Sequence, residues 1–489
     1  MERFLAKYRV ALVAAVLTLF CIAFAVQSFG NHLLYRTYGL DLGLYTKALH
    51  DYSHLHPSDC SFFLWNPSNL LADHFDLLLV LLSPLAWLVR PDWLLLSVQL
   101  LAVLAGALGI YVLTRDLCRR ELPALLAMLL VLCQFGVWHA LSFDYHSNVV
   151  AACLLPWLIL FVRRQRLGAA TVILVLMAIA KETSALWLCF VLAALLIDHR
   201  RDKATRRWLA AATAACVAYF AVVTLWVMPS LGGGGGRGFW RYDWMGASFS
   251  EVAGWLLTHP LQAVADIFRD FTPQGGHAAL KTEFYICALV SGLIFTLFKP
   301  NYLIMTIPVL AMKMLSADAD SFWGIANHYN IEICMVGCCA AAAVISRMRR
   351  PAWSNVAATL AVVLALSTTL YTVNHPITPI RQANVNILKT NHYRQQEFDV
   401  NEVNRLISTL PDDASVCATT MFTPHLAARD SVYIFPLGLG YGADYYLLLD
   451  HHWCYYEGEE EMVASMIADT AKYRIVSSSG NIFLLKRRD

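Results

Sequence analysis

Long apolar runs separated by short polar segments make up most of this chain. Several runs approach or exceed the roughly 18–20 residues that a helix needs to cross a bilayer. Composition agrees, because 58% of the residues are hydrophobic and only 15% are charged, whereas about a quarter are charged in ordinary globular proteins. The pattern predicts an all-α polytopic membrane bundle. Its eleven predicted spans lie at about residues 9–29, 93–114, 122–141, 147–162, 168–181, 184–197, 208–229, 284–298, 301–315, 330–346 and 353–372.

The apolar run at 77–89 decides the topology. It has only thirteen residues and contains Pro84, which suits a re-entrant or interfacial helix better than a span. The N-terminal run has no small-residue cleavage site and is interpreted as an uncleaved first helix. With the N-terminus inside, the short basic clusters then lie in the cytoplasm, as the positive-inside rule requires, and the C-terminus lies outside. These clusters are at 115–121, 163–166, 198–207, 299–301 and 347–351.

Two domains are predicted from a change of pattern near residue 372. Residues 1–372 form the transmembrane domain, with a first outer loop at 30–92 and a long outer loop at 230–283. Residues 373–489 contain five short β-like runs, SVCAT, SVYIF, DYYLLL, YRIVSSS and NIFLLK, and helical patterns around them. This arrangement predicts a small extracytoplasmic α/β domain. The region 373–489 has no G-x-G-x-x-G motif, so a dinucleotide site is not supported there, and a net charge of +2 does not suggest a nucleic-acid partner.

Cysteines give little indication of chemistry. Most of the thirteen lie inside apolar runs, where they are expected to be small core residues. No C-x-x-C pair occurs, so neither a cysteine zinc site nor redox chemistry is predicted. Cys417 and Cys454 both fall in the outer region, where a disulfide between them is one option.

Acids and histidines gather on the predicted outer side of the membrane. Asp41, in YGLDLGLYTKALHDY, follows the first span within about a dozen residues. It would be either a solvated or helix-capping acid or a general base sheltered near the membrane surface. Asp73 and His74, with Asp76, precede the re-entrant run. They would either bind a divalent cation or mark the water–lipid boundary, and no metal ligand is assigned.

Further polar groups interrupt or flank the later spans. Lys181 and Glu182 break an apolar stretch, and ionisable groups there usually face a cavity or a partner. Other candidates for substrate contacts are Asp144 and His146 in SFDYHSN, His328 and Tyr329 in NHYN, and Arg237 and Arg241, which follow five consecutive glycines. The glycines predict a flexible hinge. The arginines and aromatics after them would either lie at the membrane interface or form a lid over a site.

In their order and spacing, these stretches resemble a bacterial membrane-protein family, domain of unknown function 2079. The matching stretches are YGLDLGLYTKALHDY, LADHFDLLLVLLSPLAWL, SFDYHSN, AKETSAL, NHYNIEI, PHLAARDSVYIFP and ADYYLLLD. Lys47 stands where the family pattern usually has Gln, and Thr183 where it has an acid, so some substrate contacts are expected to differ. The family is similar in outline to the GT-C superfamily of integral-membrane glycosyltransferases.

That resemblance implies a function and a location. The resemblance implies a multi-pass protein of the bacterial cytoplasmic membrane. At the outer face it would transfer a sugar from a polyprenyl-phosphate donor. The acceptor would be a glycan, lipid or protein. Asp41 would be the catalytic base, Asp73 and His74 would share its loop, and Lys181 and His328 would bind lipid phosphate. No cofactor is assigned, and a divalent cation is one option. The alternatives are a transporter or lipid-handling protein, and a GT-C-like scaffold without catalysis.

Overall fold

A computed structural model describes residues 1–58, 62, 69–232, 241–394, 397–450 and 456–488. The chain divides into two compact units. The helical unit comprises Met1–Ala25, Val98–Trp226 and Arg237–Asn386. The sheet-containing unit comprises Val26–Ser97, Val227–Gly236 and Ile387–Asp489.

Several helices are long and apolar enough to cross a membrane. Four qualify by length and composition in the part of the chain described, namely Glu2–Leu33, Pro91–Cys118, Lys203–Leu231 and Pro351–Asn374. A fifth is the pair Glu121–Leu132 and Phe135–Ser142, which is bent by 42°. Every predicted span coincides with helical segments, and the run at 77–89 is a short apolar helix. The number of segments that cross the bilayer stays a prediction.

The remaining α-helices are shorter. They are Leu44–Ser53, Leu70–Asp73, Leu77–Leu82, Ser147–Arg163, Leu167–Ala178, Glu182–Asp198, Phe249–Thr258, Pro260–Phe268, Ala278–Val290, Asn301–Ile304, Ile307–Met314, Ala319–Phe322, Ile331–Ser346, Gln382–Val385, Val400–Thr409, Thr423–Leu426 and Glu459–Ala468. Within Lys203–Leu231, a π-helical turn, Val223–Val227, joins the segments Lys203–Val222 and Met228–Leu231.

Small residues let helices of the helical unit pack closely. A Cβ atom built on Gly136 would lie 2.7 Å from the Sγ atom of Cys334, and one on Gly106 would lie 3.0 Å from the Cβ atom of Cys153. Such close approaches are typical of membrane helix interfaces, where packing rather than water exclusion drives association. Cys153 and Cys334 are buried, as expected for cysteines that serve as small core residues.

The segment after residue 240 is anchored on one helix end. The side chains of Tyr242 and Trp244 donate to the carbonyls of Met312 at 2.7 Å and Leu315 at 3.1 Å. Lys281 adds a bond of 2.8 Å to the carbonyl of Met314. The last carbonyls of a helix have no hydrogen-bond donor within the helix. These three side chains supply the missing donors at the end of the helix Ile307–Met314.

The sheet-containing unit has five strands in the order β2-β1-β3-β5-β4. They are β1 Val416–Thr419, β2 Val432–Phe435, β3 Tyr445–Leu449, β4 Tyr473–Ser479 and β5 Ile482–Arg487. Strand β1 pairs in parallel with β2 and β3, whereas β5 pairs antiparallel with β3 and β4. All five predicted strands are confirmed. Cys417 of β1 is a buried free thiol, and Cys454 lies outside the described residues.

Within this unit, the end of the first helix is bonded to the C-terminal segment. The helix ends at Leu33, Tyr35 after it has a φ of 55°, and the backbone N–H of Arg36 donates to the carbonyl of Asn31 at 2.8 Å. This closure is typical of the Schellman motif. The hydroxyl of Tyr35 donates to Asn404 at 2.6 Å. The guanidinium of Arg36 donates to the carbonyls of Asn391, His392 and Arg394 at 3.0, 2.7 and 2.9 Å.

Candidate active site

Asp41 lies in a single π-helical turn, Gly39–Gly43, which follows the first helix after the short segment 34–38. Its side chain is half-buried, while Leu42 and Gly43 beside it are buried. The residue before the turn is Tyr38, so Asp41 lies inside the turn and not at its N-cap. The turn continues into the helix Leu44–Ser53. Isolated π-helical turns occur often at functional sites.

The two glycines of this turn allow it to approach the C-terminal part of the unit. A Cβ atom on Gly39 would lie 2.7 Å from the Cδ1 atom of Ile434, and one on Gly43 would lie 3.6 Å from the backbone nitrogen of Pro424. The backbone N–H of Gly39 donates to the hydroxyl of Thr420 at 3.1 Å. The turn that contains Asp41 is therefore positioned by backbone contact with the segments around β1 and β2.

The helix after the turn is held by charged groups. Lys47 forms a buried ion pair with Asp51 one turn later. The Nε2 atom of His50 lies 3.3 Å from Asp430, and this contact holds the pKa of the Asp430 carboxyl below its usual range. Burial is the main cause of the lowered pKa of His50. Lys47, which departs from the family pattern, thus has a partner on its own helix.

Asp73 and His74 are adjacent in the structure as in the sequence. The Asp73 carboxylate is buried and lies 3.6 Å from the Nε2 atom of His74. Asp76 accepts a hydrogen bond from the backbone N–H of Leu79 at 3.2 Å, so it caps the short helix Leu77–Leu82. Among the described residues, one group of three acid and histidine side chains lies close enough together to share a metal ion. That group contains none of Asp73, His74 and Asp76.

In the helical unit, four predicted residues come together. The rings of His146 and His328 stack with centroids 3.5 Å apart, and the rings of His328 and Tyr329 lie 4.1 Å apart. The Nδ1 atom of His146 lies 3.0 Å from the carbonyl oxygen of Asp144. Asp144, His146 and His328 are buried. The stretches SFDYHSN and NHYN, far apart in the sequence, therefore form one cluster.

This cluster continues to Arg241 through aromatic rings. Tyr329 stacks on Phe322 with centroids 4.2 Å apart, and the guanidinium carbon of Arg241 lies 4.9 Å from the centroid of the Phe322 ring. The Nε atom of Arg241 also lies 3.5 Å from the carboxylate of Asp318. We call Arg241, Phe322, Tyr329, His328 and His146 the stacked row. Arg237 lies outside the described residues.

Lys181 and Glu182 stand at the start of the helix Glu182–Asp198, where Glu182 is buried and Lys181 half-buried. The positive charges of Lys181 and Lys313 interact electrostatically with the carboxyl group of Glu332. Glu332 accepts a hydrogen bond of 2.8 Å from Asn148. Glu332, Asn148 and Lys313 were missed as candidates from the sequence. Glu332 could have been found, because it lies in the matched stretch NHYNIEI.

The predicted residues thus fall into two sets. The sheet-containing unit holds Asp41, Asp73 and His74, and the helical unit holds Asp144, His146, Lys181, Glu182, Arg241, His328 and Tyr329. The first set offers a half-exposed carboxylate on a held turn. The second offers cations and stacked rings, which suit an anionic or hydroxylated ligand.

Two solved structures of ArnT from Cupriavidus metallidurans have a similar fold. The apo structure matches with a TM-score of 0.54 at 10% identity, over 98% of each chain. The structure bound to undecaprenyl phosphate matches with a TM-score of 0.55 at 12% identity, again over 98% of each chain. The GT-C-like fold implied by the sequence resemblance is therefore confirmed.

A comparison with curated proteins finds no match. Residues 31–481 match the family described as predicted membrane protein, DUF2079. The match covers most of the chain, including the turn with Asp41 and strands β1 to β4. This protein belongs to the DUF2079 family of predicted membrane proteins.

Proposed function

We propose that this protein is an inverting glycosyltransferase of the cytoplasmic membrane. It takes a sugar from a polyprenyl-phosphate-type donor at the outer face and transfers it to a glycan, lipid or protein acceptor. The observation that supports this most is the held turn at Asp41. Its half-buried carboxylate lies a short segment after the first helix, in a chain whose fold is similar to that of a protein solved with undecaprenyl phosphate.

The proposed reaction gives each set of residues a role. Asp41 takes the proton of an acceptor hydroxyl, whose oxygen attacks the anomeric carbon of the donor sugar. The bond from that carbon to the phosphate oxygen breaks, and the lipid phosphate leaves with its electron pair. Developing negative charge on a leaving group is stabilised by nearby cations, for which Lys181, Arg241 and Arg237 are the candidates.

The remaining candidate residues would orient the substrates. The rings of the stacked row offer faces for a sugar, and the histidines offer hydrogen bonds to hydroxyl or phosphate oxygens. Asp144 would help to position the side chain of His146, and Glu182 would help to position that of Lys181. Asp73 and His74 share the first outer loop with Asp41. The proposed topology has the N-terminus inside and the C-terminal sheet outside, which keeps the acids on the side of the donor head group.

Lys181 offers a direct test of donor binding. Lys181→Gln is expected to weaken binding of undecaprenyl phosphate about tenfold, because a hydrogen bond to a charged group contributes about 1.5–3 kcal/mol. Lys181→Arg should retain most of the affinity. The measurement is a binding titration with the full-length protein in nanodiscs, with the exposed Lys472→Gln as the matched control. Unchanged binding by Lys181→Gln would remove this lysine from the donor site.

A transporter is the runner-up, because the ionisable side chains of the buried Lys313 and the half-buried Glu332 would also suit a path through the helical unit. The full-length protein should be incubated with a panel of radiolabelled polyprenyl-phosphate sugars and membrane acceptors, and in parallel reconstituted in liposomes. Transfer of label to an acceptor supports the glycosyltransferase. Passage of the donor or its head group across the liposome membrane without transfer supports the transporter and contradicts the proposal.

A further inference from the structure

Three side chains from distant parts of the sequence converge within the sheet-containing unit. His32 lies at the end of the first helix, Asp92 in the first turn of the helix Pro91–Cys118, and His425 in the short helix Thr423–Leu426. One ligand atom from each lies within 4.8 Å of the other two. His32 and Asp92 are fully buried. None of the three belongs to the proposed transfer reaction.

The ring of His32 is held from one side and faces the acid with the other. Its Nδ1 atom lies 2.9 Å from the hydroxyl oxygen of Thr37, and its Nε2 atom lies 3.1 Å from the Oδ2 atom of Asp92. Metal-binding histidines almost always use one ring nitrogen in this way for a hydrogen bond that orients the ring. The second nitrogen, which here hydrogen-bonds with Asp92, would bind the ion in place of that contact.

His425 offers a nitrogen that has no other use. Its ring stacks on that of His32, with centroids 4.1 Å apart and planes within 4°. Its Nε2 atom is buried and has no hydrogen-bond partner among the described residues. Buried polar atoms nearly always have a partner, so an unpartnered one points to a missing ligand.

Asp92 is oriented by its own neighbours. Its Oδ1 atom accepts from the backbone N–H of Trp93 at 2.9 Å, and its Oδ2 atom accepts from Arg90 at 2.7 Å. Each carboxylate oxygen has about two lone-pair positions, so the Oδ2 atom can keep its bond from Arg90 and bind a cation in place of its contact with His32. The Arg90 side chain is 58% exposed, and water therefore screens its charge in part.

We propose that His32, Asp92 and His425 bind a divalent transition-metal ion of the zinc class. Two imidazoles and one carboxylate are ligands that zinc prefers, and three protein ligands leave one of its four positions open to water or an anion. The ion would link both ends of the segment 33–91 to the C-terminal part of the unit. This segment contains Asp41. Because such a site forms only in the folded chain, metal binding would also stabilise it.

The test is a zinc titration of the chelator-stripped full-length protein against a competing indicator dye. Wild type is expected to bind one equivalent tightly. Asp92→Asn and His425→Gln should each weaken binding tenfold or more, and the exposed His375→Gln, a matched histidine outside the cluster, should bind like wild type. Wild type without a tight equivalent, or variants that bind as wild type does, would overturn the proposal.

A second measurement does not depend on how the variants fold. Cobalt(II) added to the stripped wild-type protein should give the intense visible absorption of a four-coordinate site, and zinc should displace it. Weak absorption of the six-coordinate kind would overturn the proposal.

Thr37→Val, which removes only the hydroxyl that orients His32, should weaken zinc binding about 10- to 100-fold. Unchanged zinc affinity in Thr37→Val would also contradict the arrangement of ligands.

Discussion

Asp41→Asn is expected to lower the rate of sugar transfer about 10²- to 10⁴-fold, the usual contribution of a general base. The amide keeps the size and most of the contacts of the carboxylate, but it cannot accept the acceptor's proton. Binding of undecaprenyl phosphate should stay close to that of wild type, because the donor phosphate is assigned to cations and not to this acid. The measurements are single-turnover transfer and a separate donor-binding titration.

The control for this prediction is Asp413→Asn, which removes an exposed acid from the same unit and should leave transfer unchanged. Equal transfer by Asp41→Asn and wild type would exclude Asp41 as the base. Loss of donor binding together with transfer would assign Asp41 to substrate binding or to the fold of the loop, and would also contradict the proposed role.

Gly39→Ala is expected to impair both stability and transfer. The added methyl would lie 2.7 Å from the Cδ1 atom of Ile434 and 3.3 Å from the hydroxyl of Thr420, so the turn or the side chain must shift. Overpacking of this kind costs about 1–3 kcal/mol. A displacement of about 1 Å at a catalytic group can lower the rate about 10²-fold. Thermal unfolding and single-turnover transfer measure the two effects.

Two further variants separate this contact from a general glycine effect. Gly440→Ala adds a methyl in the same unit where no atom lies within 4 Å, and it should behave like wild type. Ile434→Val removes the nearest atom, so it should recover part of the stability and activity lost in Gly39→Ala. Wild-type stability and transfer in Gly39→Ala would contradict the close approach of the turn to Ile434.

Much of the fold follows from local sequence pattern. The five strands could be predicted because β-branched and aromatic residues cluster in short runs between turn residues. The helices could be predicted because apolar runs of membrane length have few other folds available. The exact form of the Asp41 turn could not, since a π-helical turn depends on the contact of Gly39 with Ile434 and Thr420, nearly four hundred positions later.

The residues of the candidate sites also fall into those that the sequence could predict and those that it could not. His146, His328 and Tyr329 could be singled out because they lie in polar breaks between apolar runs, although their stacking required the fold. Glu332 was overlooked because one acid at the start of a helix looks like a first-turn residue. His32, Asp92 and His425 could not be found from spacing, because 60 positions separate the first two and the third lies in the C-terminal part.

The most direct test of the proposed function follows both products of one reaction. Wild-type protein in nanodiscs should be given a doubly labelled polyprenyl-phosphate sugar, with separate labels on the sugar and the lipid, together with a membrane acceptor extract. The proposed reaction predicts that one lipid phosphate is released for each sugar transferred, and that Asp41→Asn releases neither. No transfer from any donor of the panel, or lipid phosphate released without a glycosylated acceptor, would contradict it.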